Sequence, residues 1–348
     1  MSLREIARKA GVSAATVSRV LNDVDRQKVS EATRLKVLAI ARSMRYQPNP
    51  QAVSLVTRRP PNAVGLVIPY NSHVFESFYF TEIIRGAVDA TNTGGMNITL
   101  FVPRKDAPRD EFHDTLISTG HVSGALLIGT RLDDPSIPAF QEMRLPFVVV
   151  NSNFDLPGVS CVDCDNIIGA CDAVRHLIRL GHRRIAFISG PDTSSNARDR
   201  SVGYRRALDE AGIPFDPEIV RDGAFEETGG REAMKSLLAL PELPTAVFAS
   251  NDVMAIGALR AIKKEGLTVP DDIAIVGFDD IPMAQHLEPA LTTVHQPIYL
   301  VGRRAAETLL AQIHESRSEE ITAATHLLLR TRLVIRESCG ARRAEVNS

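Results

Sequence analysis

From residue 63 onward, short unbroken runs of apolar and β-branched residues alternate with amphipathic stretches, and no other feature limits the possible folds as tightly. The runs occupy residues 64–69, 98–102, 125–128, 147–150, 185–189, 246–249 and 273–277. Helical periodicity falls between most of them, at 81–90, 167–180, 202–211, 227–240, 253–265 and 298–313. A strand covered on both faces loses the in-and-out alternation of a one-sided sheet and reads as a solid Val/Ile run. Such strands, joined by helices, build parallel sheets. There are too many units for one sheet, so two doubly wound lobes are expected. Ligands bind such sheets beyond the carboxyl ends of the strands. The loops at 70–80, 151–157, 191–200, 250–252 and 278–282 are therefore the ones expected to carry function.

The first sixty residues follow a different pattern. Residues 3–21 read LREIARKAGVSAATVSRVL. Leu3, Ile6, Ala7 and Ala10 recur at helical spacing, and Val17, Val20 and Leu21 do so again. Between them Gly11 can take the positive φ that ends a helix, and the Ser13 hydroxyl can cap the next one. Two short helices around a Gly-Val-Ser turn predict a helix-turn-helix, whose second helix enters the DNA major groove. A third helix is expected over 31–44, capped by Ser30, with Leu35, Leu38 and Ala41 turned toward the first two. Up to Pro60 there are twelve basic residues against four acidic ones, a surplus of eight. The whole chain carries −2, so the remainder carries −10. A charge run alone is most often a solvated face. Joined to the Gly-Val-Ser turn, it points to a basic head that binds phosphates on an acidic body that does not.

The two parts meet in QPNPQAVSLVTRRPPN. Asn49 suits an N-cap and Pro50 the first helical position, so Ala52 to Val56 form a short helix that is marginal alone in water. This segment is expected to be disordered off DNA and helical on it. Arg58-Arg59-Pro60-Pro61 reads as an extended linker.

At 348 residues the chain exceeds one ordinary domain, and its 44% hydrophobic and 24% charged residues are globular values. MSLREIARKA lacks the apolar core of a secretory signal, and no apolar run reaches membrane-spanning length. A cytoplasmic, nucleoid-associated protein without disulfides is expected. Cys161 and Cys164 form a C-x-x-C, but no second pair or nearby paired His completes a metal site. They and Cys171 read as small apolar residues of a strand and helix, and Cys339 as part of a tail. No metal or cofactor is expected. Neither a P-loop, a G-x-S-x-G elbow nor H-E-x-x-H occurs, so no enzyme activity is expected.

Taken in order, GVSAATVSRVLN, VSEATRLKVLAIA, RYQPN, EIIRGAVDA, RSVGYRRAL, FASNDVMAIGAL, VPDDIAIVGFDD and LTTVHQP resemble the LacI/GalR family of bacterial repressors along nearly the whole chain. The resemblance implies an all-α helix-turn-helix headpiece (1–47), a hinge helix and linker (48–61) and a periplasmic-binding-protein-like α/β core of two doubly wound lobes (62–340). The last residues, 341–348, would form a tail. The chain would cross between lobes three times. The N-lobe would be about 62–161 plus 293–325, and the C-lobe about 162–292 plus 326–340. It also implies a homodimer reading a pseudo-palindromic operator in double-stranded DNA. The region after Leu333 has no heptads, so no tetramerising coiled coil is expected.

Carried over residue by residue, Ala14, Ala15 and Arg19 occupy base-reading positions. Arg19 can donate two bonds to guanine, while the alanines offer only methyl contact. Ser13, Thr16, Ser18 and Asn22 suit phosphate oxygens, although Thr16 and Ser18 also read as ordinary helix surface. Leu55, beside Ala52 and the Asn49 cap, matches the wedge that opens a central minor-groove step. It also reads as a linker leucine packed on the core. Asn71, Phe80 and Asn151 fall on the N-lobe side of an effector cleft, and Arg200, Phe225, Asn251 and Asp279 on the C-lobe side. Their chemistry suits a polyhydroxylated ligand. Carboxylate, guanidinium and amides match hydroxyls, and the rings match the C–H face of a sugar. Residue chemistry alone leaves Asp279-Asp280 as a loop-capping pair, Asn251-Asp252 as a helix start and Arg200 as a surface ion pair. The function expected is a sugar-controlled repressor. A purine- or sugar-phosphate-dependent corepressor system is the alternative, and a sugar-binding protein without DNA function a further one.

Overall fold

The computed structural model describes residues 2–22, 26–46, 61–68, 75, 77–102, 122–131, 134, 136–153, 156–316 and 323–341. The expected hinge helix, with Asn49, Ala52 and Leu55, lies outside these residues, as does Asn71.

In the headpiece, α1 (Leu3–Ala10), α2 (Ala14–Leu21) and α3 (Glu31–Ser43) pack around Ile6, Ala7, Ala10, Val17, Val20, Val37 and Ala41. Each start has a local cause. Ser2 and Glu5 form a capping box on α1. The Thr16 amide donates to Ser13 Oγ at 3.1 Å, and the Thr33 amide to Ser30 Oγ at 3.3 Å. Gly11, at φ 69°, ends α1. One expectation fails. Leu35 is 61% exposed. The inward face of α3 is set by Val37 and Ala41, two residues further round the helix.

The core holds two six-stranded sheets. The first runs in the order β11 (His326–Leu329), β5 (Ser160–Cys164), β4 (Phe147–Val150), β3 (Ala125–Ile128), β1 (Ala63–Val67), β2 (Asn97–Phe101), all parallel. The second runs β12 (Arg332–Val334), β10 (Thr292–His295), β9 (Ala274–Asp279), β8 (Ala246–Ala249), β6 (Ile185–Ser189), β7 (Val220–Asp222). It is parallel except where β12 runs against β10. Helices cover both faces of each sheet. In the first lobe α4 (Phe78–Thr93) and α10 (Ile298–Glu315) lie over one core cluster and α5 (Ser136–Glu142) over the other. In the second, α6 (Asn166–Arg179) and α7 (Ser195–Glu210) oppose α8 (Glu227–Leu238) and α9 (Asp252–Lys264).

The three crossings sit a few residues later than expected. The whole of β5, through Cys164, pairs in the N-lobe sheet, so the first crossing is at 165 and not 161. All of β10 pairs in the C-lobe sheet, which moves the second crossing from 292 to 296–297. N-lobe pairing by β11 moves the third from 325 to 330–331. The cause is the same each time: a strand stays with its sheet until its ladder of backbone bonds is complete.

The cysteines are buried and free. Cys161 joins the core under one face of its sheet and Cys164 the core under the other, as strand alternation requires. Cys339 is not in a tail. It packs in the C-lobe core, 3.2 Å from His176 Nε2 and 3.1 Å from Thr292 Oγ1.

Helices α4 and α10 cross at glycines. A Cβ on Gly302 would strike the Ile83 carbonyl, and one on Gly86 the Tyr299 carbonyl. Gly302→Ala must therefore push the helices apart, at a cost of about 1–3 kcal/mol. The expected outcome is a thermal midpoint several degrees below wild type, followed by circular dichroism. An unchanged midpoint would show that the crossing yields freely.

Candidate functional site

The carboxyl ends of both sheets converge on one buried guanidinium. Arg200 lies on α7, whose first turns replace the loop expected there, and is 2% exposed. Its Nε donates to Asn166 Oδ1 at 2.9 Å and its Nη1 to the Ser250 carbonyl at 2.6 Å. Nη1 also lies 3.7 Å from Asp279 Oδ1. The guanidinium stacks 4.0 Å over Phe278, with the Phe225 ring centroid 5.9 Å away. A surface ion pair is excluded.

Three buried carboxyls lie in this neighbourhood, Asp279 and Asp163 within reach of the Arg200 charge and Asp252 beside Asp279. Asp279, at the end of β9, accepts from Gln296 Nε2 at 2.6 Å. Burial pushes its carboxyl up to about 6, against the pull of Arg200 and Gln296. Asp163, near the end of β5, accepts from the Cys164 amide at 2.6 Å and from Asn166 Nδ2 at 3.3 Å, and burial pushes it up to about 7. Asp252 accepts from Thr293 Oγ1 at 2.5 Å and the Ile281 amide at 2.9 Å. Burial, then the neighbouring Asp279, raises its carboxyl well above the ordinary range.

A chain of amides carries this cluster across the lobes. Asn166, the first residue of α6, donates to Asn196 Oδ1 at 3.3 Å, and Asn196 Nδ2 donates to the Asn151 carbonyl at 3.3 Å. Beside it the Asn153 amide donates to Ser195 Oγ at 3.4 Å.

Among the described residues, three buried side-chain polar atoms have no hydrogen-bond partner: Tyr79 Oη, Ser250 Oγ and Gln296 Oε1. All three belong to this neighbourhood. Ser250 and Gln296 adjoin the groups that hold Arg200 and Asp279. The Tyr79 hydroxyl is pushed well above its ordinary range by burial, then by Asp163. Orphaned polar atoms are costly unless a ligand meets them. Backbone strain gathers here too. Asn151, Ala224, Phe225, Asp279 and Asp280 all have positive φ, between 55° and 116°. Such conformations in non-glycine residues concentrate at functional sites.

Asn151, Phe225, Asn251 and Asp279 thus fall at or just past strand ends, and Arg200 reaches the Ser250 and Asp279 ends from α7. Asn251 is engaged within the protein. Its Oδ1 caps α9 through the Met254 amide at 2.8 Å, and its Nδ2 holds the Phe225 carbonyl at 3.3 Å. The Phe225 ring lies over Gly190, where a Cβ would enter the ring. Phe80 packs on the N-lobe core and meets Tyr79 edge-on, at 5.7 Å between centroids. Its neighbour Tyr79 is the residue whose hydroxyl senses Asp163, Arg200 and Asp279. Tyr79, Asn196, Ser250 and Asp252 lie in stretches the sequence marks as functional loops, though none is singled out there as a binding residue; Asp163, Asn166 and Gln296 lie outside those stretches. Asp163 left its own signal, a carboxylate inside an otherwise apolar strand.

On the headpiece, Ala15, Arg19 and Ser13 are exposed on α2, and Ala14, Thr16, Ser18 and Asn22 half-buried. Ala15 and Arg19 lie four residues apart and share one outward face. Ser13 is bonded to Thr16, and Asn22 Nδ2 donates to Ser18 Oγ at 3.2 Å. The described residues contain no group of metal-binding side chains, and no helix among them is long and apolar enough to cross a membrane.

A DNA-reading module on a two-lobed core with a polar, strained cleft defines a ligand-responsive DNA-binding regulator. The chain belongs to the LacI family. Residues 2–49 match the bacterial regulatory proteins, lacI family, and residues 174–339 the periplasmic binding protein-like domain. The chain is 38% identical over 339 residues to the HTH-type transcriptional regulator CelR of Thermobifida fusca, across 97% of this chain and 98% of the relative. It is 40% identical over 318 residues to the HTH-type transcriptional repressor CytR of Escherichia coli (strain K12), covering 90% and 89%. Its fold is similar to a solved CelR–cellobiose complex, with a TM-score of 0.75 at 36% identity over 97% and 99% of the two chains. It is also similar to the lac repressor dimer bound to operator and the anti-inducer ONPF, with a TM-score of 0.79 at 28% identity over 97% and 99%.

The raised Asp163 carboxyl has a consequence for stability. The folded state holds that proton more tightly than the unfolded chain, so this group's contribution is favourable at low pH and is lost as pH rises from 3.8 toward about 7. The slope it adds is at most about 1.4 kcal/mol per pH unit. Asp163→Asn keeps the shape and removes the titration. Denaturant unfolding at pH 5 and pH 8 is expected to show a smaller pH difference in the variant than in wild type. Equal differences would mean that Asp163 is ionised throughout.

Proposed function

We propose that this regulator is a sugar-responsive repressor, acting as a homodimer on a pseudo-palindromic operator in the cytoplasm, with its effector bound between the lobes and not turned over. The observation that carries the sugar assignment is the set of orphaned buried polar atoms on Tyr79, Ser250 and Gln296 around the Arg200–Asp279 pair. A hydroxyl both donates and accepts, so a polyhydroxylated ligand satisfies all of them without bringing in charge. Phe225 and Phe80 supply flat faces for its C–H side. The solved CelR relative holds cellobiose. The repressor and dimer assignments follow CytR and the lac repressor dimer on its operator.

In this scheme Ala14, Ala15 and Arg19 read bases and Ser13, Thr16, Ser18 and Asn22 hold phosphates. Leu55, with Asn49 and Ala52 beside it, opens the central step. Asn71 and Asn151 complete the N-lobe side of the cleft, and Asn251 keeps Phe225 in place. Coupling requires the effector to bind the DNA-competent and incompetent states differently, through lobe closure that alters the dimer interface.

Thermal unfolding of the full chain against cellobiose, other neutral sugars, sugar phosphates and purines tests the assignment. A ligand at a hundred times its Kd adds about 2.7 kcal/mol of stability. A shift with neutral sugars that Asp279→Ala abolishes, with operator affinity retained, is the expected result. A shift confined to purines or sugar phosphates would replace the sugar assignment. For the headpiece, Arg19→Ala is expected to cost about 1–3 kcal/mol at one operator position and to relax preference there. Selection from randomised sites would reveal an unchanged preference if Arg19 contacts only phosphate.

A further inference from the structure

Two successive acids at the end of β9 hold two successive residues at the end of β10. Asp279 accepts from Gln296 Nε2 at 2.6 Å, and Asp280 Oδ2 lies 2.9 Å from His295 Nδ1. Each acid also meets an arginine. Arg200 is 3.7 Å from Asp279, and Arg336 Nη2 is 2.6 Å from Asp280 Oδ1. The Asp279 set belongs to the cleft. The Asp280 set lies behind it, and both of its partners come from crossings. His295 ends β10 where the chain leaves the C-lobe, and Arg336 follows β12 where the chain has just returned to it.

Arg336 is tied down on three sides. Besides Asp280, its Nη1 donates to the Leu291 carbonyl at 2.8 Å, and its own amide donates to Thr292 Oγ1 at 2.9 Å. The segment behind it is pinned by Ser338, whose hydroxyl donates to the Ile275 carbonyl at 2.7 Å and accepts from the Thr292 amide at 2.8 Å. The Arg336 and Asp280 side chains are only 16% and 14% exposed, so this is no solvated surface pair. Between the two sets runs strained backbone, with φ 116° at Asp279 and 59° at Asp280. Side chains other than glycine relax from such conformations unless the surroundings forbid it. A carboxylate gripped from both sides forbids it, because relaxation would break two charge-assisted bonds. Burial raises the Asp280 carboxyl, yet the bonds from His295 and Arg336 hold it below its ordinary range.

We infer that Arg336 and His295 are positioning residues for the cleft: acting through Asp280, they hold the Asp279–Asp280 turn in its left-handed conformation. They thereby fix where the Asp279 carboxylate is presented and how the second crossing leaves the C-lobe. The relevance to binding rests on the cleft being the effector site. The test needs no ligand, so the two can fail separately.

Peptide-resolved hydrogen exchange on the full chain compares wild type with Arg336→Met, Arg336→Lys and Asp280→Asn. With Arg336→Met, exchange over residues 278–282 and 294–298 is expected to rise at least tenfold, while the strands at 185–189 and 246–249 of the same sheet stay protected. Arg336→Lys, which keeps the charge, is expected to restore much of the lost protection. Asp280→Asn, which keeps the shape, is expected to loosen the same two segments and stands in if Arg336→Met does not fold. Unchanged exchange over 278–282 in both Arg336→Met and Asp280→Asn would overturn the inference. So would an equal loss across the whole C-lobe sheet, which would make Arg336 a general support.

Discussion

The guanidinium of Arg200 must stay charged where two parallel sheets end, and the arrangement around it follows from that requirement. A buried cation without partners costs several kcal/mol, and an ion pair recovers this only when further hydrogen bonds complete it. Arg200 meets the condition with groups from the C-lobe, one of which, Asp279, is held in turn by a residue of a crossing. Asn166 stands just past the first crossing, Ser250 and Asp279 end C-lobe strands, and Gln296 leads into the second crossing. The pair is accordingly weak evidence for stability. Its effect is to make one relative placement of these strand ends much better than its neighbours, which a cleft that must recognise a ligand requires.

The same neighbourhood concentrates costs that the rest of the structure largely avoids. Three orphaned polar atoms, five residues at positive φ and three carboxyls raised by burial are concentrated within it. Elsewhere such costs are sparser: the helices that begin at Ala14, Glu31, Asn166, Ser195 and Asp252 are capped by side chains, and the central strands β3, β4, β6 and β8 are solidly apolar. Strain that is local, while its surroundings are not strained, marks where binding energy has somewhere to go.

Much of the scaffold was legible because burial on both faces writes itself as solid Val/Ile runs. Strands β3, β4, β6 and β8 fall where those runs fall. The elements that escaped are mostly those whose burial is partial, with buried β10 hidden by its two threonines. Strands β7, β11 and β12 are short and lie at sheet edges, half-exposed, so no run announces them. The first turns of α7, SNARDRS, are polar because they face the cleft, and polar residues without a period read as loop. The site divides in the same way. Asp279 and Arg200 stood in the motifs that resemble the family, and Asn151 in a strand-end loop expected to carry function. Ser250 and Gln296 stood in such motifs too, in FASNDVMAIGAL and LTTVHQP, but neither motif shows that their side chains end buried and unpartnered; Tyr79 stood in none. What gives them a role is the other lobe, which local pattern cannot supply.

The two lobes are linked here by a chain of shared hydrogen bonds. Asn166 donates to Asn196, which holds the Asn151 carbonyl of the opposite lobe, and it accepts from Arg200, which faces Asp279. Any movement of Asn151 relative to Asn196 therefore reaches the Arg200–Asp279 pair through two side chains. Any ligand that competes for Asp279 pulls on the same chain from its other end. Gln296 adds a second route, since it leads directly into α10, which packs against α4 at a crossing too tight for a Cβ. Close-packed glycine contacts transmit displacement where they cannot absorb it. Gln296 thus links the charge cluster to α10 and, through the glycine crossing, to α4, and the N-lobe that holds them is the part joined in sequence to the DNA-reading headpiece.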